Sequence, residues 1–329
     1  MDALFADYDR PGVPGASVIV IRDGKILFKK AYGLANLEDK IKSTTSSNYR
    51  MASNTKQFTA MAIMMLVERR KLSYESHLTD FFPDFPEYGK PITVRHMLNH
   101  TSGLLDYEDL IPPGTTIPLT DNDVLVSLKH QDHTQFPPGS KFSYSNGGYV
   151  LLGLIVERVS GMQFPEFLRE NIFAPLGMKH TIFYHRDDHS DRARRAYGYT
   201  LKGNSFARTD QSLTSSTRGD GTVYSSVNDL FKWDQALSRG RLVSEETLAQ
   251  AFTPGVSVDE HTGYGFGWFL EQKRGRRKVW HSGNTIGFTS AIHRFPDQQF
   301  TVIIVTNRND DNLIDIVNKI EELYLFSEK

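Results

Sequence analysis

Residues 49–60 read YRMASNTKQFTA, and the chain continues as MAIMMLVERR through residue 70. Phe58, Met61, Ala62, Met65 and Leu66 fall on one helical face, while Ala60, Ile63, Met64 and Val67 fill the others. A helix that is apolar all round is buried between layers of other structure. The pattern predicts such a helix over about residues 53–72, so the fold must supply layers on more than one side of it. Two polar residues stand at its mouth. Ser53 and Lys56 are three positions apart, about one helical turn, and their side chains can touch.

Working outward from that helix, residues 17–22 (SVIVIR) and 25–32 (KILFKKAY) flank Asp23-Gly24. That dipeptide between strand-like runs is a strong hairpin signal. The middle of the chain, about 73–214, reads as helices joined by loops rich in Pro and Gly. Thr93 can cap VRHMLNH, Ser145 or Asn146 opens GGYVLLGLIVERVSG, and Pro165 sits in the first turn of PEFLRENI. Strands are expected again only later. TVYSS (222–226) leads through Ser226 and Asp229, a capping-box variant, into a helix closed by Gly240. GYGFGWFLEQ, KVWHSG, FTSAIHRFP and FTVIIVTN then read as four strands, and NLIDIVNKIEELYLF as a closing amphipathic helix. Strands at both ends and helices between them imply an α/β fold of the α+β kind, one antiparallel sheet flanked by helices. The expectation is a single catalytic unit over 1–329, with a sheet lobe from 1–52 and 215–329 and a mainly helical lobe at 53–214.

Composition narrows the function. The 329 residues are 39% hydrophobic and 23% charged with a net charge of −1, which argues against disorder and against nucleic acid as a partner. The densest basic stretch, QKRGRRK at 272–278, is expected to be a solvated hairpin turn. There is no cysteine, which removes disulfides, thiolate nucleophiles and Cys-ligated metals. No apolar run approaches a transmembrane span. An export signal ahead of Met1 would place the chain in the periplasm or outside the cell, and without one it would be cytoplasmic.

The polar pair carries chemistry if the rest of a site can be found. A serine hydroxyl is a weak nucleophile until a base removes its proton, and a lysine serves as that base where its surroundings disfavour the ammonium. A helix start adds N–H groups and a positive dipole end suited to a developing oxyanion. Alone, Ser53 reads as a helix cap and Lys56 as a surface lysine. Two further triplets reverse that reading: Tyr144-Ser145-Asn146 in KFSYSNGGYV and His281-Ser282-Gly283 in KVWHSGNTIGF.

S-x-x-K, Y-x-N and H-x-G in that order resemble the penicillin-recognising serine hydrolases, the superfamily of class C β-lactamases, D-alanyl-D-alanine carboxypeptidases, D-aminopeptidases and β-lactamase-like esterases. FKKAYGLANLE, ITVRHMLNHTSGL, GDGTVYSSVNDLFKW, GYGFGW and GNTIGF are also similar to that family, so the likeness spans nearly the whole chain. The resemblance implies a two-lobed β-lactamase-like fold and an acyl-enzyme mechanism without cofactor or metal. It implies Ser53 as nucleophile, Lys56 as base or as the partner of Tyr144, and Tyr144 as proton relay to the leaving group. Asn146 would orient the substrate amide. The backbone N–H groups of Ser53 and Asn284 would form the oxyanion hole, with Gly283 giving the room. His281 stands where many relatives have lysine. As an imidazolium beside Lys56 it would favour ionisation of Tyr144 and hold a substrate carboxylate. Activity on carboxylated substrates would then decline as pH rises through about 6.5.

Other motifs are absent: G-x-S-x-G, H-E-x-x-H and G-x-x-x-x-G-K-[ST] do not occur. The cluster His185 to Asp191 has metal-ligand residue types but no periodicity to fix a geometry. His100 is expected to hold its loop through its ring nitrogens. Gly263, Gly265 and Gly267 alternate in a strand-like run with no helix after it. The reading is a serine hydrolase on a small-molecule or peptide substrate, first a peptide containing D-residues, next a carboxylesterase on short acyl esters, then a weak β-lactamase. β-Lactams are candidate substrates or inhibitors. The rival from another class is a penicillin-binding sensing module without turnover.

Overall fold

The computed structural model describes residues 1–184, 194–309 and 312–327. Its centre is an antiparallel sheet of eight strands. In chain order these are β1 (Ala16–Arg22), β2 (Lys25–Tyr32), β3 (Val256–Ser257), β4 (Thr262–Tyr264), β5 (Phe269–Lys273), β6 (Arg276–Thr285), β7 (Phe288–Phe295) and β8 (Phe300–Thr306). Their order across the sheet is β3-β4-β5-β6-β7-β8-β1-β2, so the first hairpin is hydrogen-bonded to the last strand. Asp23 and Gly24 both have positive φ, 51° and 71°, as a two-residue hairpin turn requires. GYGFGWFLEQ is not one strand. It divides into β4 and β5, with Gly267 at φ 81° between them.

The sheet is covered on both faces, which explains why β1 and β8 are continuously apolar rather than alternating. Val18, Val20, Val302 and Ile304 face Phe5, Tyr8 and the closing helix, where Leu313, Val317 and Ile320 are buried. Ile19, Ile21, Ile303 and Val305 face the larger core around the helix that follows Ser53. Four helices matter for position: α1 (Lys56–Glu68), α2 (Asn146–Ser160), α3 (Val227–Ser238) and α4 (Leu313–Glu321). Ser145 caps α2 by accepting from Gly148 N, and Ser226 caps α3 by accepting from Asp229 N. The Asp229 carboxylate turns away, accepting from His180 N at 2.8 Å.

Two expectations need correction. The helix does not start at Ser53: residues Ala52–Thr55 form a 3₁₀ turn and α1 begins at Lys56, so Ser53 caps nothing with its side chain. Short strands occur inside the helical stretch, at Ile182–Phe183, Tyr199–Lys202 and Ser205–Arg208. The basic stretch is the expected hairpin turn, with Gln272, Arg274, Gly275 and Arg277 exposed. Lys273 and Arg274 pair with Glu321 and Glu322, and Lys278 is buried against Glu271. Among the described residues no helix is long and apolar enough to cross a membrane. The cluster from His185 to Asp191 lies outside the described residues.

Candidate active site

The turn holding Ser53 is fixed by buried polar side chains ahead of the apolar part of α1. Asn54 donates to Ser290 Oγ on β7 at 2.8 Å, and that hydroxyl donates to Met51 O at 2.8 Å. Gln57 bridges Asn54 and the Trp233 indole of α3. Thr59 donates to Gly219 O at 2.6 Å. Ala52, just before Ser53, has φ 48°, a conformation costing a non-glycine residue on the order of 1–3 kcal/mol, sustained by these surrounding bonds. Ser53 itself stays partly open at the surface of this turn.

Lys56 is fully buried. Its Nζ lies 3.2 Å from Ser53 Oγ, 2.8 Å from Asn146 Oδ1 and 3.0 Å from Asp220 O. Asn146 is the first residue of α2, and its Nδ2 donates to Glu108 Oε1 at 3.0 Å, which fixes which end of the amide meets the lysine. Among the described residues no carboxylate forms an ion pair with this buried lysine, an unusual arrangement for a lysine among neutral oxygens.

Tyr144 comes to the same place. Its ring centroid is 4.8 Å from Lys56 Nζ, and its hydroxyl is buried without a hydrogen-bond partner among the described residues. The loop that presents it is fastened by His100, whose Nδ1 accepts from Ser145 N at 3.0 Å and whose carbonyl accepts from Ser143 N at 2.8 Å. The two rings pack 4.2 Å apart. Burial, then Lys56 and His281, hold the His100 imidazolium well below its ordinary range.

His281 is turned inward and held neutral. It is 1% exposed, and burial, with Lys56 adding to it, pushes its pKa down to about 3. Its Nδ1 is 2.6 Å from Ser282 O and its Nε2 is 3.1 Å from the Tyr264 hydroxyl. The neutral ring therefore donates from Nδ1 and accepts from Tyr264. It supplies no positive charge for a substrate carboxylate, and none to Tyr144.

β6 passes close to the residues before Ser53. A Cβ on Gly283 would lie 2.3 Å from Met51 O and 3.1 Å from Ala52 Cβ, so any larger residue would push the strand away. Asn284 follows at the exposed end of this approach, and Asn309 holds its turn through Asn284 Oδ1, Thr285 O and Gly287 N. The geometry thus gathers Ser53, Lys56, Tyr144 and Asn146, with the Gly283-Asn284 segment alongside the Ser53 turn, and turns His281 inward. It adds groups that the sequence reading did not name: Asp220 by its carbonyl, Glu108, and the Asn54, Gln57 and Ser290 scaffold. The polar residues at 54, 55, 57 and 59 in an otherwise apolar helix, and the acidic run 106–109, were the available signals.

The beta-lactamase family profile matches residues 1–323. Penicillin-binding protein 4* of Bacillus subtilis is 33% identical over 326 residues, covering 94% of this chain and 72% of its own length. Among solved structures, the octameric penicillin-binding protein homologue from Pyrococcus abyssi superposes with a TM-score of 0.88 at 29% identity, over 99% of this chain and 76% of that one. D-amino acid amidase from Ochrobactrum anthropi SV3, complexed with D-phenylalanine, superposes with a TM-score of 0.85 at 26% identity over 99% of both chains. With that profile over nearly its full length, the chain belongs to the beta-lactamase family and is a serine hydrolase.

Proposed function

We propose that Ser53 forms an acyl-enzyme with amides and esters of D-amino acids, Lys56 and Tyr144 handling the protons. The observation that carries this is the set of oxygens around Lys56 Nζ. Asn146 Oδ1 and Asp220 O can only accept, whereas a serine hydroxyl can also donate. An amine giving two N–H bonds to the first pair keeps its lone pair for the proton of Ser53. Oγ then attacks the acyl carbon as Lys56 takes that proton, and the oxyanion is met by the backbone N–H groups of Ser53 and Asn284. Tyr144 gives its hydroxyl proton to the leaving nitrogen or oxygen and recovers one from Lys56, and the bond to the leaving group breaks. Water repeats the attack in reverse, losing one proton through Tyr144 and Lys56, and Ser53 regains its own as the acid departs.

The likeness to a D-amino acid amidase along the full length of both chains supports the D-configured acyl group. A second reading, a carboxylesterase on short acyl esters, is favoured by the neutral His281, since neutral esters need no cation there. The same neutrality puts carboxylated β-lactams last as substrates, although acylation by them as inhibitors fits the proposed chemistry. The test is fluorophosphonate labelling of Ser53 together with turnover of D-alaninamide, L-alaninamide, p-nitrophenyl butyrate and nitrocefin. Preference for the D-amide supports the proposal. Turnover of the ester alone moves the function to the second reading, and labelling without turnover of any substrate moves it to a sensing module.

A further inference from the structure

We infer that the protein has a second binding site, apart from the catalytic one, where Arg208 and Arg218 take the oxyanion groups of a small polyanion, and that its occupancy is felt at Lys56. The site itself is independent of the substrate. The coupling rests on the reading of Lys56 as the base that serves Ser53.

The site is a cavity of about 920 Å³ beside α2, lined on one side by Leu154 and Glu157 and on another by residues between Arg208 and Thr222. That is near the upper end of the volumes that hold small molecules, and far more than a single inorganic ion fills. None of Ser53, Lys56, Tyr144, Asn146, His281, Gly283 and Asn284 lines it. Glu157 is three helical turns along α2 from Asn146, roughly 16 Å.

Among the described residues three carboxylates and three guanidinium groups line the cavity, and they are used differently. Each carboxylate is spent on a backbone donor. Asp121 Oδ1 accepts from Arg218 N at 2.7 Å, Asp210 Oδ1 from Gly198 N at 2.8 Å, and Glu157 Oε1 from Phe164 N at 2.8 Å. Asp210 also takes the Arg195 guanidinium, at 2.5 Å. Burial raises the Asp121 carboxyl to about 7 against the pull of its bond from Arg218 N, so its charge is only partly kept at neutral pH. Arg208 and Arg218 are less committed. The Arg208 guanidinium lies 3.7 Å from the centre of the Tyr197 ring, is exposed, and forms no ion pair among the described residues. Stacking fixes its plane and leaves its edge for a carboxylate or phosphate. Arg218 lies 3.4 Å from Gln163 Oε1, 3.6 Å from Glu157 Oε1 and 3.9 Å from Asp121 Oδ2. All are longer than the roughly 2.7–2.9 Å of a well-made charge-assisted bond. With Arg195 and Asp210 cancelling, Glu157 faces two guanidinium groups, and the cavity favours an anion.

Arg218 belongs to a loop that also serves the catalytic lysine. Two residues on, Asp220 gives its carbonyl to Lys56 Nζ, and Gly219 O accepts from Thr59 of α1. Arg50, 2% exposed and three residues before Ser53, donates to Ser215 Oγ at 2.7 Å and to Gly221 O at 3.2 Å. Ser215 lines the cavity as well. A ligand that draws Arg218 away from Glu157 therefore pulls on a loop whose other side is bonded to Lys56 and to the strand entering the Ser53 turn.

The experiment is calorimetric titration of the full chain at pH 7 in about 0.15 M salt, which screens loose surface binding. The probes are tripolyphosphate, citrate and spermine. Tripolyphosphate or citrate should bind one to one with Kd below about 1 mM, the better of the two telling phosphate from carboxylate. Arg208→Ala and Arg218→Ala should each weaken binding by about tenfold or more. Arg208 is exposed, so its variant keeps the test open if Arg218→Ala fails to fold. The site is overturned if neither anion binds below about 10 mM, if affinity survives both substitutions, or if spermine binds instead. At saturating anion, p-nitrophenyl acetate turnover should change by at least about threefold in wild type and not in Arg208→Ala at the same concentration. Binding with unchanged turnover overturns the coupling. Fluorophosphonate labelling without anion reports on the acyl-enzyme alone, so its failure beside intact anion binding removes the proposed function and leaves the site.

Discussion

Two buried lysine–histidine pairs sit on opposite faces of the same sheet, and their surroundings differ in kind. At the C-terminal face, Lys278 is within 3.0 Å of Glu271 and 3.7 Å of Glu321, and His293 Nδ1 is 2.6 Å from Glu321 Oε1. Glu321 has no solvent exposure. Burial alone would raise its carboxyl, but the His293 hydrogen bond and the nearby lysine charges outweigh that and hold it at about 2. At the other face, Lys56 has three neutral oxygens in contact, and His281 has a phenol and a carbonyl. β6 contributes to both, since Lys278 and His281 are three residues apart and point to opposite sides. The first cluster is charge-compensated and holds α4 to the sheet. The second leaves its amine without an ion-pair partner among the described residues, at the place where the proposed mechanism moves a proton. Compensation marks the structural cluster and its absence the proposed reactive one.

The sharpest way to break this contrast is at the serine. Ser53→Ala should lower turnover of every substrate by at least about 10⁴-fold, the order seen when a nucleophile is removed from a unit of cooperating groups. Because Ser53 caps no helix, its melting temperature should stay within about 2 °C of wild type by calorimetry. Turnover within tenfold of wild type would end its assignment as nucleophile. Lys56→Arg comes next, with an expected loss of about 10³-fold in fluorophosphonate labelling rate, close to that of Lys56→Ala. A guanidinium keeps its proton at any working pH and cannot act as base. Labelling by the arginine variant at near the wild-type rate would make Lys56 only a charge and transfer the base to Tyr144.

The structural cluster should respond in the other coin. Glu321→Ala leaves Lys273, Lys278 and His293 around an empty place, and breaking a buried pair in this way costs about 3–5 kcal/mol. Urea unfolding should show that loss, while activity per folded molecule stays within about threefold of wild type. A collapse in kcat with unchanged stability would mean that the two faces are coupled through β6.

The sequence was legible where one residue type does one job in a fixed spacing. Asp23-Gly24 announced the hairpin, and S-x-x-K, Y-x-N and H-x-G named side chains that do converge, apart from the inward turn of His281. It was silent where the contact belongs to the main chain: Asp220 reaches Lys56 by its carbonyl, which any residue could offer. The start of α1 was misplaced by three residues because Ala52 takes a left-handed φ that its type does not suggest. The short strands between 182 and 208 were missed because two- to four-residue strands carry too little alternation to read. The neutral state of His281 was not legible because the Tyr264 hydroxyl that meets its ring comes from seventeen positions away on another strand.

The smallest expected effects concern that histidine and the response of stability and turnover to pH. With its folded pKa near 3 and an unfolded value near 6.5, His281 binds fewer protons folded than unfolded between those limits. Stability is therefore complete above about pH 6.5 and falls as pH drops below it, by at most about 1.4 kcal/mol per pH unit for one group. His100 and, on the other face, His293, both lowered in the same direction by burial, add with the same sign. Glu321 is also depressed, but from 4.5, so its contribution is present above that pH and is lost only between about 4.5 and 2. His281→Gln should thus flatten the fall in unfolding free energy between pH 6.5 and 4.5 and leave the steeper acid loss in place. Kinetics should agree: a neutral ring throughout pH 5–9 gives carboxylated and neutral substrates the same response to that substitution, with no decline near 6.5 that belongs to carboxylated ones. A decline of that kind, abolished in His281→Gln, would mean that the ring leaves Tyr264 and becomes charged when substrate binds, and the contrast between the two faces would then hold only for the free enzyme.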